Sequence, residues 1–255
     1  MRRNWLRYVL LGLAAYLAFL AVLLPARWLA PHLPSDIRLQ GVTGTPWRGH
    51  AERVEYAGYA VDGVDWRIQA PYRLVLGSLS WRLRIERGAL SGFVDLGLSP
   101  GRITLENTDL NLNLKLLEDA LSGLRLRLDG RPIHLQAEVL ELRRDGPGAA
   151  RGMARWEHAA LRSPVGLALG NLNLELTDDD QGWLGTLSND SNQLHIGGTI
   201  RVLQGWAWNS EIRLSPGPEA DASLRQALPL LGRPDRHGTV TLKANGTLTG
   251  PPGAQ

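Results

Sequence analysis

Residues 124–139 read Leu-Arg-Leu-Arg-Leu-Asp-Gly-Arg-Pro-Ile-His-Leu-Gln-Ala-Glu-Val. Apolar side chains fall on every second position, at Leu124, Leu126 and Leu128 and again at Ile133, Leu135, Ala137 and Val139. Successive side chains of an extended strand point to opposite faces, so this period of two sets one apolar face against one polar face. Between the two runs lies Asp129-Gly130, a dipeptide favoured in tight hairpin turns. The stretch predicts two antiparallel strands joined by a turn.

Working outward, the same alternation recurs at Leu83 and Ile85, at Ile103 and Leu105, and at Leu110, Leu112, Leu114 and Leu116. It returns at Leu172, Leu174 and Leu176, and at Ile212 with Leu214. Asp145-Gly146 and Gly197-Gly198 supply further turn signals. A mainly β, antiparallel body beginning near Ile37 follows, as a curved open sheet or half-barrel. Two stretches depart from the pattern: Lys115 to Ser122 and Ala220 to Leu231 space their apolar residues by three or four and predict short helices over a sheet face or edge. Pro229 marks the end of the second or a kink in it. A weak internal echo, with Trp66 answering Trp156 and Leu76-Gly77 answering Leu169-Gly170, suggests two β-meanders as halves 41–145 and 146–249.

The chain has 255 residues, with 29 Gly and 15 Pro, a turn-rich composition that suits β structure. It has no cysteine, which excludes a disulfide framework, a Cys-ligated metal and a thiol nucleophile. Lys and Arg total 28 against 25 Asp and Glu, but Lys occurs only at 115 and 243. Beyond the N-terminus the Arg residues alternate with acidic and apolar ones, as on a solvated surface, and do not form a nucleic-acid-binding stripe.

From Tyr8 to Leu24 the sequence is uncharged and apolar, close to the ~20 residues that a helix needs to span a bilayer. Arg2, Arg3 and Arg7 precede it and Arg27 alone follows closely, which keeps residues 1–7 in the cytoplasm and exports the body. Trp5, Tyr8 and Trp28 stand where head groups would lie, and Pro25 ends the helix. A cleaved signal peptide fits less well, because Leu24 and Trp28 occupy the positions that need small residues. Residues 8–24 are thus expected to be a transmembrane anchor, residues 25–36 a Pro-rich stalk, residues 37–249 the β domain, and residues 250–255 a disordered tail.

No catalytic cluster is legible. The histidines at 32, 50, 134, 158, 195 and 237 form no HxH, HxxxH or HExxH pair, and no GxSxG elbow, SxxK or Walker lysine appears. Asp178, Asp179 and Asp180 lack the ligand spacing of a calcium loop. Trp47, Trp66, Trp81, Trp156, Trp183 and the alternating pair Trp206 and Trp208 are expected to pack on strands. The expectation is a non-enzymatic protein without cofactor.

Gly41-Val-Thr-Gly-Thr-Pro-Trp-Arg-Gly-His-Ala51 resembles the G-x-x-G-T-x-W-x-G-x-A signature of the type II secretion system protein N family, with motif positions at Gly41, Gly44, Thr45, Trp47, Gly49 and Ala51. It reads as a strand, a turn at Gly44, a Trp anchor and a second strand from Gly49; Pro46 removes a backbone donor and tightens the turn. In order come Trp156 to Leu161, Leu169-Gly170 and the pattern from Leu231 to Gly246, each similar to a family stretch. The resemblance implies an inner-membrane protein of a Gram-negative envelope with its body in the periplasm. It would be an accessory component for exporting folded proteins, with other secretion-system envelope components as partners. The alternative is an AsmA-like β-groove handling lipid on its sheet face. What separates the two is whether the face bearing Leu110, Leu112, Leu172 and Leu174 is covered or open.

Overall fold

The computed structural model describes residues 8, 9, 11–13, 16, 19, 20, 22–28, 37–56, 58–69, 77–120, 127–163 and 166–248. Fifteen strands form one antiparallel sheet. In chain order they are β1 (Ile37–Gln40), β2 (Thr43–Gly44), β3 (Arg48–Tyr56), β4 (Tyr59–Ile68), β5 (Leu79–Gly88), β6 (Leu90–Ser99), β7 (Arg102–Leu112), β8 (Arg127–Asp129), β9 (Ile133–Arg143), β10 (Pro147–Ser163), β11 (Leu167–Asp179), β12 (Gly182–Asn189), β13 (Leu194–Leu203), β14 (Ala207–Pro216) and β15 (Val240–Thr247). Spatial order follows chain order from β3 onward, except that β1 and β2 both lie against β3 and β8 lies against β10. The sheet continues through the β9–β10 hairpin at 144–146, where the two expected halves meet, with register shifts at 147–150 and 151–152.

The period of two becomes a physical row across the molecule. Ala51, Val64, Ile85, Gly92, Leu110, Leu135, Ala154, Leu174, Leu187, Gly198, Ile212 and Leu242 stand directly opposite one another on successive strands from β3 to β15. Directly opposed residues share a face, so one side of the sheet carries an apolar band from end to end. The neighbouring row on the other face runs His50, Asp65, Arg84, Phe93, Asp109, Gln136, Met153, Glu175, Thr186, Thr199, Glu211 and Lys243. A bulge in β7 protects the arrangement: Phe93 pairs with Asp109 but Asp95 with Glu106, and Asn107 takes a φ of 45°. The extra residue keeps Leu105 and Leu110, an odd number of positions apart, on the same face.

Two short helices lie off the sheet. The helix α1 (Leu114–Ala120) begins where Asn113 Oδ1 accepts the Lys115 N–H at 3.0 Å, and Glu118 Oε1 accepts the Leu128 N–H of β8 at 2.7 Å. The helix α2 (Ala222–Leu231) is capped by Asp221, whose Oδ1 accepts from the Leu224 N–H at 2.7 Å, and Pro229 lies inside its last turn. Leu224 and Leu228 of α2 bury themselves against Leu167, Leu194, Ile196, Leu214 and Val240 in the principal core. A smaller cluster of Ala137, Leu140 and Ala150 sits mid-sheet with Leu105, Leu176 and Trp183 against it.

Several expectations need correction. Leu114 and Leu116 continue the alternation on paper but lie in α1, because the Asn113 cap ends the strand at Leu112. Gly197-Gly198 is no turn: both residues are paired on two sides in the middle of β13. Asp129-Gly130 does not reverse the chain either. Both β8 and β9 run antiparallel to β10 on the same edge, so residues 130–132 interrupt one long strand. Pro132 has no N–H for a ladder bond, and Gly130 leaves room for the Trp156 indole, whose Nε1 would lie 2.6 Å from an added Cβ. Trp206 lies in the tight turn Gln204–Trp206, where it is buried and meets Trp183 edge to face at 5.8 Å.

Among the described residues no helix is long and apolar enough to cross a membrane. Residues 8, 9, 11–13, 16, 19, 20 and 22 are helical, and Tyr8, Val9, Leu11, Leu13, Tyr16, Phe19, Leu20, Val22 and Leu23 expose their apolar side chains. The remainder of the span expected at 8–24, most of the stalk, Leu76, Leu124, Leu126 and the tail 250–255 lie outside the described residues. Ala26–Trp28 form a single tight turn that lies beside β2.

Candidate interaction surface

The stretch Gly41 to Ala51 folds into a small hairpin that closes one end of the sheet. Thr43 pairs with His50 and Gly44 with Gly49, and the connecting turn is held by Thr45, whose N–H donates to Arg48 O at 2.9 Å. The Thr45 Oγ1 accepts the Arg48 N–H at 3.2 Å. Two indoles from neighbouring strands clamp the turn: Trp66 Nε1 donates to Thr45 O at 3.0 Å and Trp81 Nε1 to Pro46 O at 3.1 Å. Gly44 has a φ of 84°, which favours glycine. At Gly49 a Cβ would stand 2.4 Å from the Trp66 ring and 2.5 Å from Thr43 O, so only glycine lets the indole lie there. Ala51 is fully buried, Trp47 half-buried in the turn, and Gly41 exposed just after β1. These six residues form one structural unit and bring no reactive groups together.

The apolar face is covered unevenly. Leu172 packs against the core beneath α2, and Leu110 is buried at 9% exposure, whereas Leu112 and Leu174 remain half-buried. Ile85, Leu135 and Leu187 are half-buried too. At the far edge Leu242 of β15 is exposed, as are Leu248 just past that strand and Leu230 of α2. The outer side of β15 is met only at Val240, by a bridge from Pro234. From Thr241 to Thr247 no strand lies beside it among the described residues.

The polar face buries two carboxylates. Asp95 is 5% exposed and receives the Arg82 fork, Nε to Oδ1 and Nη2 to Oδ2, both at 2.8 Å. Gln69 Nε2 at 2.6 Å and Asn107 Nδ2 at 3.1 Å complete its shell. The Arg82 hydrogen bonds hold the Asp95 carboxyl below its ordinary value against the opposing effect of burial, with help from Asn107 and Gln69. Glu141 is likewise lowered, first by its bond from Arg143 Nε at 2.9 Å; Arg102 Nε lies 2.7 Å away. Both form ion pairs with exposed arginines. His50 meets Asp65 at 3.0 Å and His134 meets Asp109 at 3.1 Å. No group of three His, Cys, Asp or Glu side chains suited to a metal occurs among the described residues.

Sequence reasoning located the hairpin and missed the Asp95 and Glu141 pairs, whose partners come from other strands except for Arg143, two residues beyond Glu141 on β9. The signal that finds Asp95 is its fixed place opposite Arg82 once the β5–β6 register is known.

A family model described as type II secretion system (T2SS), protein N matches residues 35–243. A type II secretion system protein N of Aeromonas hydrophila is 29% identical over 249 residues, covering 93% of this chain and 96% of the relative. That of Klebsiella pneumoniae is 28% identical with 96% of each covered, and that of Vibrio cholerae is 28% identical with 85% of this chain and 87% of the relative covered. No solved structure matches.

Proposed function

We propose, from the premise that this chain belongs to the type II secretion system protein N family, that it is an accessory inner-membrane component of the type II pathway. It supports export of folded periplasmic proteins by binding other envelope components of the machinery. In this reading residues 8–24 are a single-pass anchor with residues 1–7 in the cytoplasm. Residues 25–36 are a stalk, 37–249 a periplasmic body and 250–255 a loose tail. The apolar side chains exposed on the helical residues between Tyr8 and Leu23 support the anchor, since water disfavours such a surface and lipid does not. The hairpin from Gly41 to Ala51 acts as a structural closure.

The observation that carries the interaction role is the outer edge of β15. Its backbone groups from Thr241 to Thr247 face no further strand among the described residues, and Leu242 within it and Leu248 just past it are exposed. Edge strands in natural sheets are usually blunted by prolines, bulges or inward charges. Here the β14–β15 register runs without a slip from Val240 to Thr247. Such an edge accepts an extended segment of a partner as a further strand. A photo-crosslinking residue at Asn245 is expected to trap a secretion-system component in cells carrying the whole machinery, while one at Thr186 in central β12 traps none. Unimpaired export after loss of the gene, with no crosslink from Asn245, would end this reading.

One observation favours a second reading. The apolar row from Ala51 to Leu242 offers an acyl chain a continuous path, half-open at Ile85, Leu135 and Leu174. Against it stands α2, which covers the C-terminal end of that face. Phospholipid retained by the purified chain, and lost when Leu135 and Leu174 are replaced by Glu, would favour the lipid-carrying groove.

A further inference from the structure

Arginines gather on the polar face where the first long strands lie. Arg48 of β3, Arg67 of β4 and Arg82 of β5 are directly opposed in one row, and Arg84 follows in the next row, opposite Asp65. All four are exposed and line one shallow cavity of about 570 Å³ with Gly49, Asp65, Trp66, Ile68 and Gln69. Directly opposed like charges destabilise a sheet, because the side chains of such residues lie within about 5 Å. Only Arg82 has a carboxylate, that of Asp95. Asp65 is held by His50 Nδ1 at 3.0 Å, and among the described residues no carboxylate lies within ion-pair distance of Arg48, Arg67 or Arg84. The fold thus keeps three guanidinium groups that have no ion pair among the described residues around one concavity, with Asp65 the one carboxylate in its lining.

We infer that this row of arginines is a docking surface for the phosphate head groups of anionic phospholipid, seating the start of the sheet on the membrane that holds the chain. The guanidinium fork matches a phosphate's oxygens in pairs. Position selects the membrane surface over other anions. The turn Ala26–Trp28, where the apolar N-terminal segment ends, lies beside β2, and β2 pairs with residues 49 and 50, next to Arg48. Trp28 is exposed at that turn, as suits a ring at head-group level. The sheet would thus meet an anionic surface by its β3–β5 end.

The inference rests on the reading that residues 8–24 hold the chain in a membrane. The test uses the full chain in nanodiscs of phosphatidylcholine, or of phosphatidylcholine with a minority of phosphatidylglycerol, and follows amide hydrogen exchange. Residues 48–50, 65–69 and 80–84 are expected to exchange more slowly with phosphatidylglycerol, and the difference should shrink with added salt. Each substitution Arg48→Gln, Arg67→Gln or Arg84→Gln should lower the anionic preference about fivefold, the factor for one basic residue near an anionic surface. Arg151→Gln, on the polar face of β10, should leave it unchanged. Equal exchange in the two lipids, or a difference that survives the triple substitution, would overturn the proposal. So would inorganic phosphate giving the same protection in neutral nanodiscs, which would mark a free-anion site. Because the substitutions relieve repulsion, they should not lower the melting temperature, and a clear fall would show that the arginines serve the fold instead. Failure of the chain to enter nanodiscs of either kind would defeat the anchor reading, whereas entry without lipid preference defeats this one alone.

Discussion

At the scale of single residues, the most consequential side chain outside the core is Asp95. It gathers Arg82, Gln69 and Asn107 around a carboxylate that is almost wholly buried. The pairing lowers the folded carboxyl below its unfolded value. Its stabilisation is therefore complete at neutral pH and drains away as pH falls through about 4 and below, where the unfolded chain takes up the proton first. Asp95→Asn is expected to cost about 1–3 kcal/mol at pH 7, read by urea unfolding of the full chain in detergent, and the two proteins should converge near the acid end. None of this was legible beforehand. In a strand the residue opposite is set by register, and the register of β6 against β7 slips at a bulge that no short-range pattern announces. The turn at Thr45, by contrast, was legible, since Gly44, Thr45 and Gly49 carry their geometric reasons in their own side chains.

At the scale of elements, α2 acts as the lid of the principal core. Leu228 is 2% exposed and sits over Leu194 and Val240, both fully buried. Leu228→Ala removes that contact and leaves a void, a change worth about 2–5 kcal/mol. The expected outcome is a lower melting temperature together with stronger binding of an apolar dye, as Ile196 and Leu214 become accessible. Both helices were foreseeable because their apolar spacing changes from two to three or four. The end of β7 was less so: Leu110, Leu112, Leu114 and Leu116 keep one rhythm across a boundary that a single Asn side chain sets. The broken strand of β8 and β9 was misread for a related reason. Asp129-Gly130 has the chemistry of a reversal, but β10 is long enough to pair with both pieces, and its ladder kept them in line.

At the scale of the whole molecule, the antiparallel β class and the two-faced sheet were plain from alternation alone, and the transverse apolar row is that alternation seen across strands. The free edge was not visible, because which strand comes last in space depends on topology. Leu242 stands at 36% exposure where the apolar row reaches that edge. Leu242→Lys places a charge on the exposed rim and should change stability by no more than about 0.5 kcal/mol. If the edge serves a partner, the same substitution lowers the crosslink yield from Asn245 and the export of folded substrates, measured side by side with thermal unfolding.

The order of the strands has one more consequence. Because space follows chain order from β3 to β15, nearly every strand finds its neighbour in the segment made just before it. Contacts of this local kind form quickly and need no distant partner. A chain delivered across a membrane with its first strands leading could therefore be laid down like courses of brick, each new strand resting on the last. At every stage the growing rim would look much as the outer edge of β15 does. If that edge serves a partner, the partner's strand would be laid on it in the same way that each strand of the sheet was laid on the one before.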